Sequence, residues 1–355
     1  MLVYITLLFI YLLVAGINKS SRLFGGLLFL LLFIISASRG VNVGIDTVNY
    51  YNNYFSSLYS GDNHDFEIVF ITICDFIRDN GLNPRCCLYI LSFITFFFIY
   101  LAAGRFNTSL VYVGLFYILF NLYTHSFNIA RQMAACSILL YAYSFLFVDN
   151  KRSKLYNIFF FLLFTLFAAS FHVGAILGVI ALIVIPFRSK PIATNGFIVS
   201  VVFIFLFGLI QIFRTTMLSQ SIGLLSSIAI YDSLGADTQE TSLSLLGFIY
   251  RSIAYVIYGI AWHYLQKDSR GKLCDFFGAS VILRIVLSAF YGNIYRLAFY
   301  FSVIDIVVFS MCSTPKNRRV FMGITVSYFF FDFYWVLSGN IYETVPYVYN
   351  MIEFF

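Results

Sequence analysis

Long apolar runs follow one another along the whole chain, and they constrain its fold more than any other feature. Only 11% of the 355 residues are charged, against about a quarter in soluble domains. Because the backbone inside lipid must be satisfied internally, runs of this length predict helices. We expect an all-α, polytopic membrane protein of about twelve transmembrane helices in one integral membrane domain, residues 1–355. The predicted spans lie near residues 1–17, 22–37, 86–104, 108–124, 129–148, 155–170, 173–187, 197–213, 243–265, 273–290, 294–312 and 320–337.

The connecting segments alternate in charge along the chain. All seven lysines fall in every second loop, together with arginines such as Arg22 and Arg105. Since loops rich in lysine and arginine stay on the cytoplasmic side, the remaining loops are predicted to face outward. Two outward loops are long, near residues 38–85 and 214–242. Most of the acidic residues also lie in the outward segments, so we expect the polar chemistry on that face.

Four arginines are predicted to reach a similar depth on the outer side. Arg131 begins the fifth span, and Arg251 lies about eight residues into the ninth, roughly 12 Å along the helix. Arg284 and Arg296 lie near the outer ends of the tenth and eleventh spans. A guanidinium at this depth is costly unless an anion compensates it, and its planar fork suits phosphate or carboxylate. The alternative is that each arginine snorkels to the membrane interface.

Other polar and aromatic candidates also lie on the predicted outer side. His172 lies at the turn between the sixth and seventh spans, with His125 and Gln132 nearby, and either transfers protons or forms a hydrogen-bonded helix end. Outer tyrosines offer rings that can stack on sugars. These tyrosines are Tyr50, Tyr51, Tyr291 and Tyr295.

Several classes of function lack their sequence motifs. The chain contains no HExxH, P-loop, GxSxG or Asp-x-Asp pattern, so metalloprotease, ATPase and serine lipase activities have no support. Its six cysteines form no CxxC pair and lie mostly in apolar runs. We therefore expect them to be small buried hydrophobes rather than disulfides or zinc ligands. Nucleic-acid binding is unsupported because the basic residues are divided between two membrane faces.

Three short motifs stand out along the chain. In the first, Arg39 is followed by Gly44-Ile-Asp46-Thr47 and a group of tyrosines. The others are Asn128-x-x-Arg131-Gln132-x-x-Ala135 and the pair Phe171-His172 between two helices. Together these motifs resemble those of the EpsG-like branch of the Wzy-type polysaccharide polymerases. The resemblance implies a fold like the GT-C-type glycosyltransferase membrane fold. It also implies a multi-pass protein of the bacterial inner membrane with its active site facing the periplasm.

The implied activity is that of an O-antigen, capsule or exopolysaccharide polymerase, a metal-independent glycosyltransferase that needs no cofactor. Such an enzyme moves the growing glycan from undecaprenyl pyrophosphate to the non-reducing end of a new lipid-linked repeat unit. The expected partners are undecaprenyl-pyrophosphate-linked oligosaccharides, membrane lipid and a chain-length regulator protein, with no nucleic acid. The pyrophosphate leaves with negative charge, which an arginine cluster in a water-poor cavity can stabilise.

Our hypothesis for the site assigns roles residue by residue. The residues expected to hold the two pyrophosphates are Arg131, Arg251, Arg284 and Arg296. Asp46 or His172 is expected to take the proton of the acceptor hydroxyl, with Glu240 as a third candidate. Asp46 alternatively binds sugar hydroxyls or pairs with Arg39. The residues expected to bind substrate are Arg39, Gln132, Tyr50, Tyr51, Tyr295 and Glu240.

Two other functions compete with the polymerase hypothesis. A flippase for lipid-linked oligosaccharides would carry charges along a path open to both sides and usually has two related halves. Here the arginines outside the basic loops are predicted on one face, and no repeated half is evident. An O-antigen ligase shares the chemistry and differs in its acceptor, lipid A core.

Overall fold

A computed structural model describes residues 1–18, 21–48, 67–148, 152–184, 195–225, 245–268, 270–288 and 293–349. Within these ranges the regular elements are helices, and Arg39 forms an isolated β-bridge with Tyr349. The all-α prediction is therefore confirmed. The α-helices are α1 (Leu2–Asn18), α2 (Arg22–Ala37), α3 (Ile68–Asp79), α4 (Cys86–Arg105), α5 (Leu110–Leu119), α6 (Leu122–Asn128), α7 (Ala130–Phe147), α8 (Lys154–Ala169), α9 (Ala181–Val184), α10 (Gly196–Leu225), α11 (Leu245–Lys267), α12 (Gly271–Leu287), α13 (Asn293–Arg296), α14 (Phe299–Ser302), α15 (Asp305–Ser313) and α16 (Arg319–Ser338).

Most predicted spans coincide with one helix each, but three are interrupted. The span at 108–124 is divided into α5 and α6, whose axes bend by 64°. Asn121 lies at this bend with φ of 60°, a left-handed conformation that cannot continue a right-handed helix. The span at 173–187 begins as a 3-10 helix, Val173–Ile180. The span at 294–312 is divided among α13, α14 and α15.

Four helices among the described residues are long and apolar enough to cross a membrane: α4, the Gly196–Phe213 part of α10, α11 and α16. The bent pair of α5 and α6 makes a fifth if it counts as one span. Five shorter apolar stretches accompany them: Leu2–Ile17, Arg22–Ala37, Lys154–Ala169, Val173–Ile183 and Phe299–Ser313. These helices are those of a multi-pass membrane protein. The number of twelve crossings and the likeness to the GT-C-type fold stay predictions.

The chain divides into two compact units. The first unit comprises Met1–Ile180 and Asp305–Phe355, and the second comprises Ala181–Ile304. Residues from both ends of the sequence thus pack into the first unit. The prediction of a single membrane domain over the whole chain stays a prediction.

Helix α7 lies at the centre of the first unit. It packs on α4 and on α8, and every residue of α7 except Arg131 and Tyr141 is buried. Small residues such as Ala134, Ala135 and Ala142 allow neighbouring helices to approach closely, which is the usual basis of helix packing in lipid. All six cysteines of the chain are free and buried, which confirms their predicted role as small core residues.

Residues 339–349, which we call the carboxy-terminal segment, fold back onto the ends of the first helices. The hydroxyl of Tyr4 in α1 donates to the carbonyl of Thr344 at 2.9 Å, and the amide of Gly40 donates to the carbonyl of Val348 at 2.7 Å. The hydroxyl of Tyr347 donates to the carbonyl of Ile35 at 2.6 Å. Burial raises the pKa of Tyr347 to about 12. The start of α1 and the ends of α2 and α16 therefore lie together, as the predicted topology requires.

The second unit is built on α10, α11 and α12. Gly259 of α11 faces α10 so closely that a Cβ atom there would overlap the hydroxyl of Ser200. The ring of Phe207 stacks on that of Phe248, with 5.6 Å between centroids. A small residue at the crossing and interleaved rings beside it hold α10 against α11.

Candidate active site

Arg131 lies in the first turn of α7, as predicted, and it is paired with a carboxylate. Its Nη1 atom lies 2.5 Å from Oε2 of Glu67, and the guanidinium carbon lies 4.8 Å from the centre of the Phe70 ring. The two side chains are only 15% and 16% exposed. The guanidinium is thus compensated by an anion of the protein and by an aromatic face.

Glu67 uses its second oxygen on another segment. Oε1 accepts a hydrogen bond from the backbone amide of Val173 at 3.1 Å, at the start of the 3-10 helix that follows His172. The amide of Val69 also donates to the carbonyl of Ser170, at 3.3 Å. Glu67 therefore joins the starts of α3, α7 and the 3-10 helix. Glu67 was not among the predicted site residues; the available signal was an acid directly before an amphipathic helix.

Arg39 is 1% exposed and makes its contacts inside the first unit. Its Nε atom donates to the hydroxyl of Thr47 at 3.1 Å, and its Nη1 donates to the carbonyl of Ser36 at 2.6 Å. The guanidinium also lies 4.7 Å from the centre of the Phe127 ring. The carbonyl of Arg39 accepts from Nη2 of Arg85 at 2.7 Å. These contacts anchor the first outer loop, and the predicted role of Arg39 in substrate binding stays a prediction.

Gly44 brings this loop against the junction of α6 and α7. Its φ of 93° lies in the left-handed region, and a Cβ atom there would lie 2.8 Å from Oδ1 of Asn128. The hydroxyl of Thr47 donates to the carbonyl of Val43 at 2.7 Å, and the amide of Gly44 donates to the carbonyl of Glu343 at 2.8 Å. The motif with Arg39, Gly44 and Thr47 thus packs directly on the motif that contains Asn128.

The predicted histidine and its neighbours lie in the same unit. His172 is half-buried in the turn between α8 and the 3-10 helix, where its amide donates to the carbonyl of Ala168 at 3.2 Å. Gln132 is buried, and Asp46 is half-buried. His125 contacts the carboxy-terminal segment, with 2.8 Å between its Nε2 and the hydroxyl of Tyr342. The hydrogen bonds given above do not test whether His172 or Asp46 takes a proton. Both therefore stay predicted candidates for the general base.

The other three predicted arginines lie in the second unit. Arg284 donates from Nη1 to the hydroxyl of Tyr258 at 2.9 Å, and its guanidinium carbon lies 4.3 Å from the centre of that ring. Arg251 and Tyr255 are one turn apart on α11, and Tyr255 interacts electrostatically with Arg284, Tyr295 and Arg251. Arg296 is exposed at the end of α13. Three predicted site residues of this unit, Arg251, Arg284 and Tyr295, thus lie within electrostatic range of Tyr255.

Some predicted site residues lie outside the described residues. These are Tyr50, Tyr51, Tyr291 and Glu240, and the parts 49–66 and 226–242 of the two long loops lie outside as well. Among the residues that are described, no group of three or more histidines, cysteines or acids could hold a metal ion.

The helices and these contacts define a class of protein: a multi-pass membrane protein that holds an arginine and a carboxylate in a partly buried pair at the start of its central helix. The family model described as the EpsG family matches residues 22–349, which include all three motifs. The chain therefore belongs to the EpsG family, and the predicted family is confirmed. It is a membrane protein of the exopolysaccharide or O-antigen polymerase type. Searches among curated proteins and among solved structures gave no match.

Proposed function

We propose that this protein polymerises a surface polysaccharide at the periplasmic face of the bacterial inner membrane. It transfers the growing glycan from undecaprenyl pyrophosphate to the non-reducing end of a newly delivered lipid-linked repeat unit. The observation that carries this proposal is the match to the EpsG family over residues 22–349. The proposal is also supported by Arg131 in the first turn of the central helix, because a partly buried guanidinium is suited to binding a pyrophosphate.

The transfer breaks the bond between the anomeric carbon of the glycan and the pyrophosphate oxygen. A hydroxyl of the acceptor sugar forms the new bond and gives up its proton to a base, for which Asp46, His172 and Glu240 are the candidates. Undecaprenyl pyrophosphate leaves with the bonding electron pair. Guanidinium groups that are already in place when this charge develops lower the barrier, because they need no reorganisation.

Arg131, Arg251, Arg284 and Arg296 are proposed to hold the two pyrophosphates, one on the donor and one on the acceptor. The aromatic face of Tyr258 holds Arg284 in place. Tyr295 and Gln132 are proposed to contact sugar. No metal ion takes part.

The same proposal includes twelve membrane crossings in a GT-C-type arrangement. The four long helices, the bent pair and the five shorter apolar stretches account for ten of the predicted spans. The two that remain are α7 and α12, which carry Arg131 and Arg284. Polar residues lower the apolarity of these two helices, as expected where helices line an interior site rather than face lipid.

Deletion of the gene from its host separates the polymerase from its rivals. For a polymerase that makes O-antigen, the deletion leaves single repeat units on the lipid core, seen as one band in place of a ladder on a gel. Loss of a flippase abolishes repeat units in the periplasm, and loss of a ligase leaves long polymer on its lipid carrier. Either of these two patterns would refute the proposed reaction.

Replacement of Arg131 tests the proposed site within the complemented strain. Arg131→Lys keeps the charge and loses the fork, so the ladder should collapse to single units while the amount of protein in the membrane is unchanged. Arg152→Lys is the matched control, because Arg152 is exposed and lies in a predicted cytoplasmic loop. A normal ladder with Arg131→Lys would exclude Arg131 from the mechanism and leave the family assignment intact.

A further inference from the structure

We propose that Glu67 is a positioning residue for the glycosyl transfer, acting through Arg131. This inference rests on the proposed function. One carboxylate oxygen holds Nη1 of Arg131, and the other accepts from the amide of Val173. Glu67 thereby fixes the arginine that begins α7 relative to the turn that contains His172. Two predicted site residues from distant parts of the sequence are set in place by one side chain.

The carboxylate is itself held on a rigid support. Glu67 is the residue before α3, and Phe70 in the first turn of that helix is fully buried beneath the guanidinium of Arg131. The hydrogen bond from Val69 to Ser170 ties the same turn to the end of α8. A long, flexible arginine side chain is thus confined from two directions. Such confinement is what a site requires when it must meet a pyrophosphate in a fixed orientation.

A second ion pair on the same helix provides a comparison. Arg78 lies 2.8 Å from Asp75 and 3.0 Å from Asp79, but these side chains are 27%, 38% and 64% exposed. Exposed pairs of this kind contribute little to stability and fix no geometry. The pair of Glu67 and Arg131 differs in its burial, in its link to a third segment and in its place at the start of α7. Asp75→Asn is therefore a matched control for Glu67→Gln.

Glu67→Gln separates the two contacts of the carboxylate. The amide oxygen of glutamine can still accept from Val173, but the ion pair with Arg131 is lost. Removal of a negative charge beside Arg131 should leave the affinity for a pyrophosphate unchanged or higher. Because Arg131 loses its fixed orientation, the rate of glycosyl transfer should fall at the same time. A purely structural defect would lower kcat and also raise the Kd for the pyrophosphate, so a fall in kcat without a rise in this Kd indicates a positioning role.

The experiment uses purified full-length protein in lipid nanodiscs. Its substrate is the lipid-linked repeat unit extracted from the deletion strain, and undecaprenyl pyrophosphate is the probe of binding. We expect Glu67→Gln to lower kcat about 100-fold, while Asp75→Asn changes it less than about twofold. The double variant of Glu67→Gln with Arg131→Lys should be no slower than Arg131→Lys alone, because both changes disable the same group.

A charge exchange keeps the test decisive if the single variant is poorly folded. Glu67→Arg combined with Arg131→Glu restores an ion pair and should restore the melting temperature, but not polymer synthesis. Recovery of synthesis in the exchanged protein, or wild-type kcat for Glu67→Gln, would overturn the positioning role. If Arg131→Lys is itself fully active, the proposed site fails instead. If Arg131→Lys is inactive and Glu67→Gln is active, only this inference fails.

Discussion

Replacement of Gly44 by alanine should loosen the first outer loop from the junction of α6 and α7. At φ of 93°, alanine pays about 1–2 kcal/mol for the left-handed backbone. Its Cβ would also lie 2.8 Å from Oδ1 of Asn128, closer than real Cβ contacts come, and 3.0 Å from Cβ of Phe127, which is tighter than most real contacts. Crowding of this kind costs about 1–3 kcal/mol. The free energy of unfolding should therefore fall by about 2–5 kcal/mol.

Gly81→Ala is the matched control for this change. Gly81 has φ of 63°, but nothing lies within 4 Å of the position its Cβ would take. It should therefore show the backbone cost alone, about 1–2 kcal/mol. At roughly 2–4 °C per kcal/mol for domains of 150–250 residues, the two melting temperatures should differ by several degrees.

The buried cysteines supply the assay for both glycine variants. All six are free and buried, so a dye that fluoresces on reaction with thiols reports unfolding of the detergent-solubilised protein. Equal shifts for Gly44→Ala and Gly81→Ala would refute the close packing of Gly44 against Asn128. Gly44→Ala should also shorten the polymer in the complemented strain, because the loop it displaces contains Asp46 and Thr47.

Three further substitutions test the packing, each by the same thiol-dye melt. Gly259→Leu should separate α10 from α11 and lower the melting temperature strongly, because a Cβ at Gly259 already overlaps a neighbouring hydroxyl; an unchanged melt would refute this contact. Tyr342→Phe should keep the ring contact with His125 and lose its hydrogen bond, a cost of about 1 kcal/mol; a larger loss would mean that the hydroxyl has other partners. Arg105→Lys should lose the 2.7 Å hydrogen bond to the Ser144 hydroxyl, at a cost of about 1–2 kcal/mol; an unchanged melt would refute this contact.

The helices could be predicted from the sequence because lipid imposes one requirement on every span. A backbone that cannot bond to solvent must form a helix, so apolar length alone located most of them. The interruptions were not predicted. The bend between α5 and α6 depends on the left-handed conformation of Asn121, whose side-chain amide also donates to Asp332 of α16 at 3.0 Å. That bond joins residues 211 positions apart and leaves no local pattern.

The candidate site was predictable in part, and the limits have a physical cause. The place of Arg131 in the first turn of α7 followed from the apolar run, and its outward orientation stays a prediction. Glu67 did not, because its contact with Arg131 spans 64 residues. The buried state of Arg39 was also missed, since its partners are mostly backbone carbonyls, which every sequence contains. Sequence patterns locate charges, whereas only the fold shows which charges are already compensated.

That compensation decides how Arg131 is to be understood. A guanidinium near the bilayer needs an anion, and Glu67 supplies one from within the chain. Snorkelling toward the interface does not fit a side chain that is 15% exposed and lies over Phe70. A purely structural pair is also a weak explanation, because hydrophobic residues of similar volume commonly stabilise a protein as well as a buried ion pair does.

The double replacement of Arg131→Met with Glu67→Leu follows from this argument. It removes both charges together, so neither is left buried alone, and it leaves the Val173 amide without its side-chain acceptor. Losing that one hydrogen bond should cost about 1–3 kcal/mol, and the melting temperature should stay within several degrees of wild type. Polymer synthesis should be lost entirely. A collapse of the fold would show that the pair is structural, and sustained synthesis would show that neither residue serves the reaction.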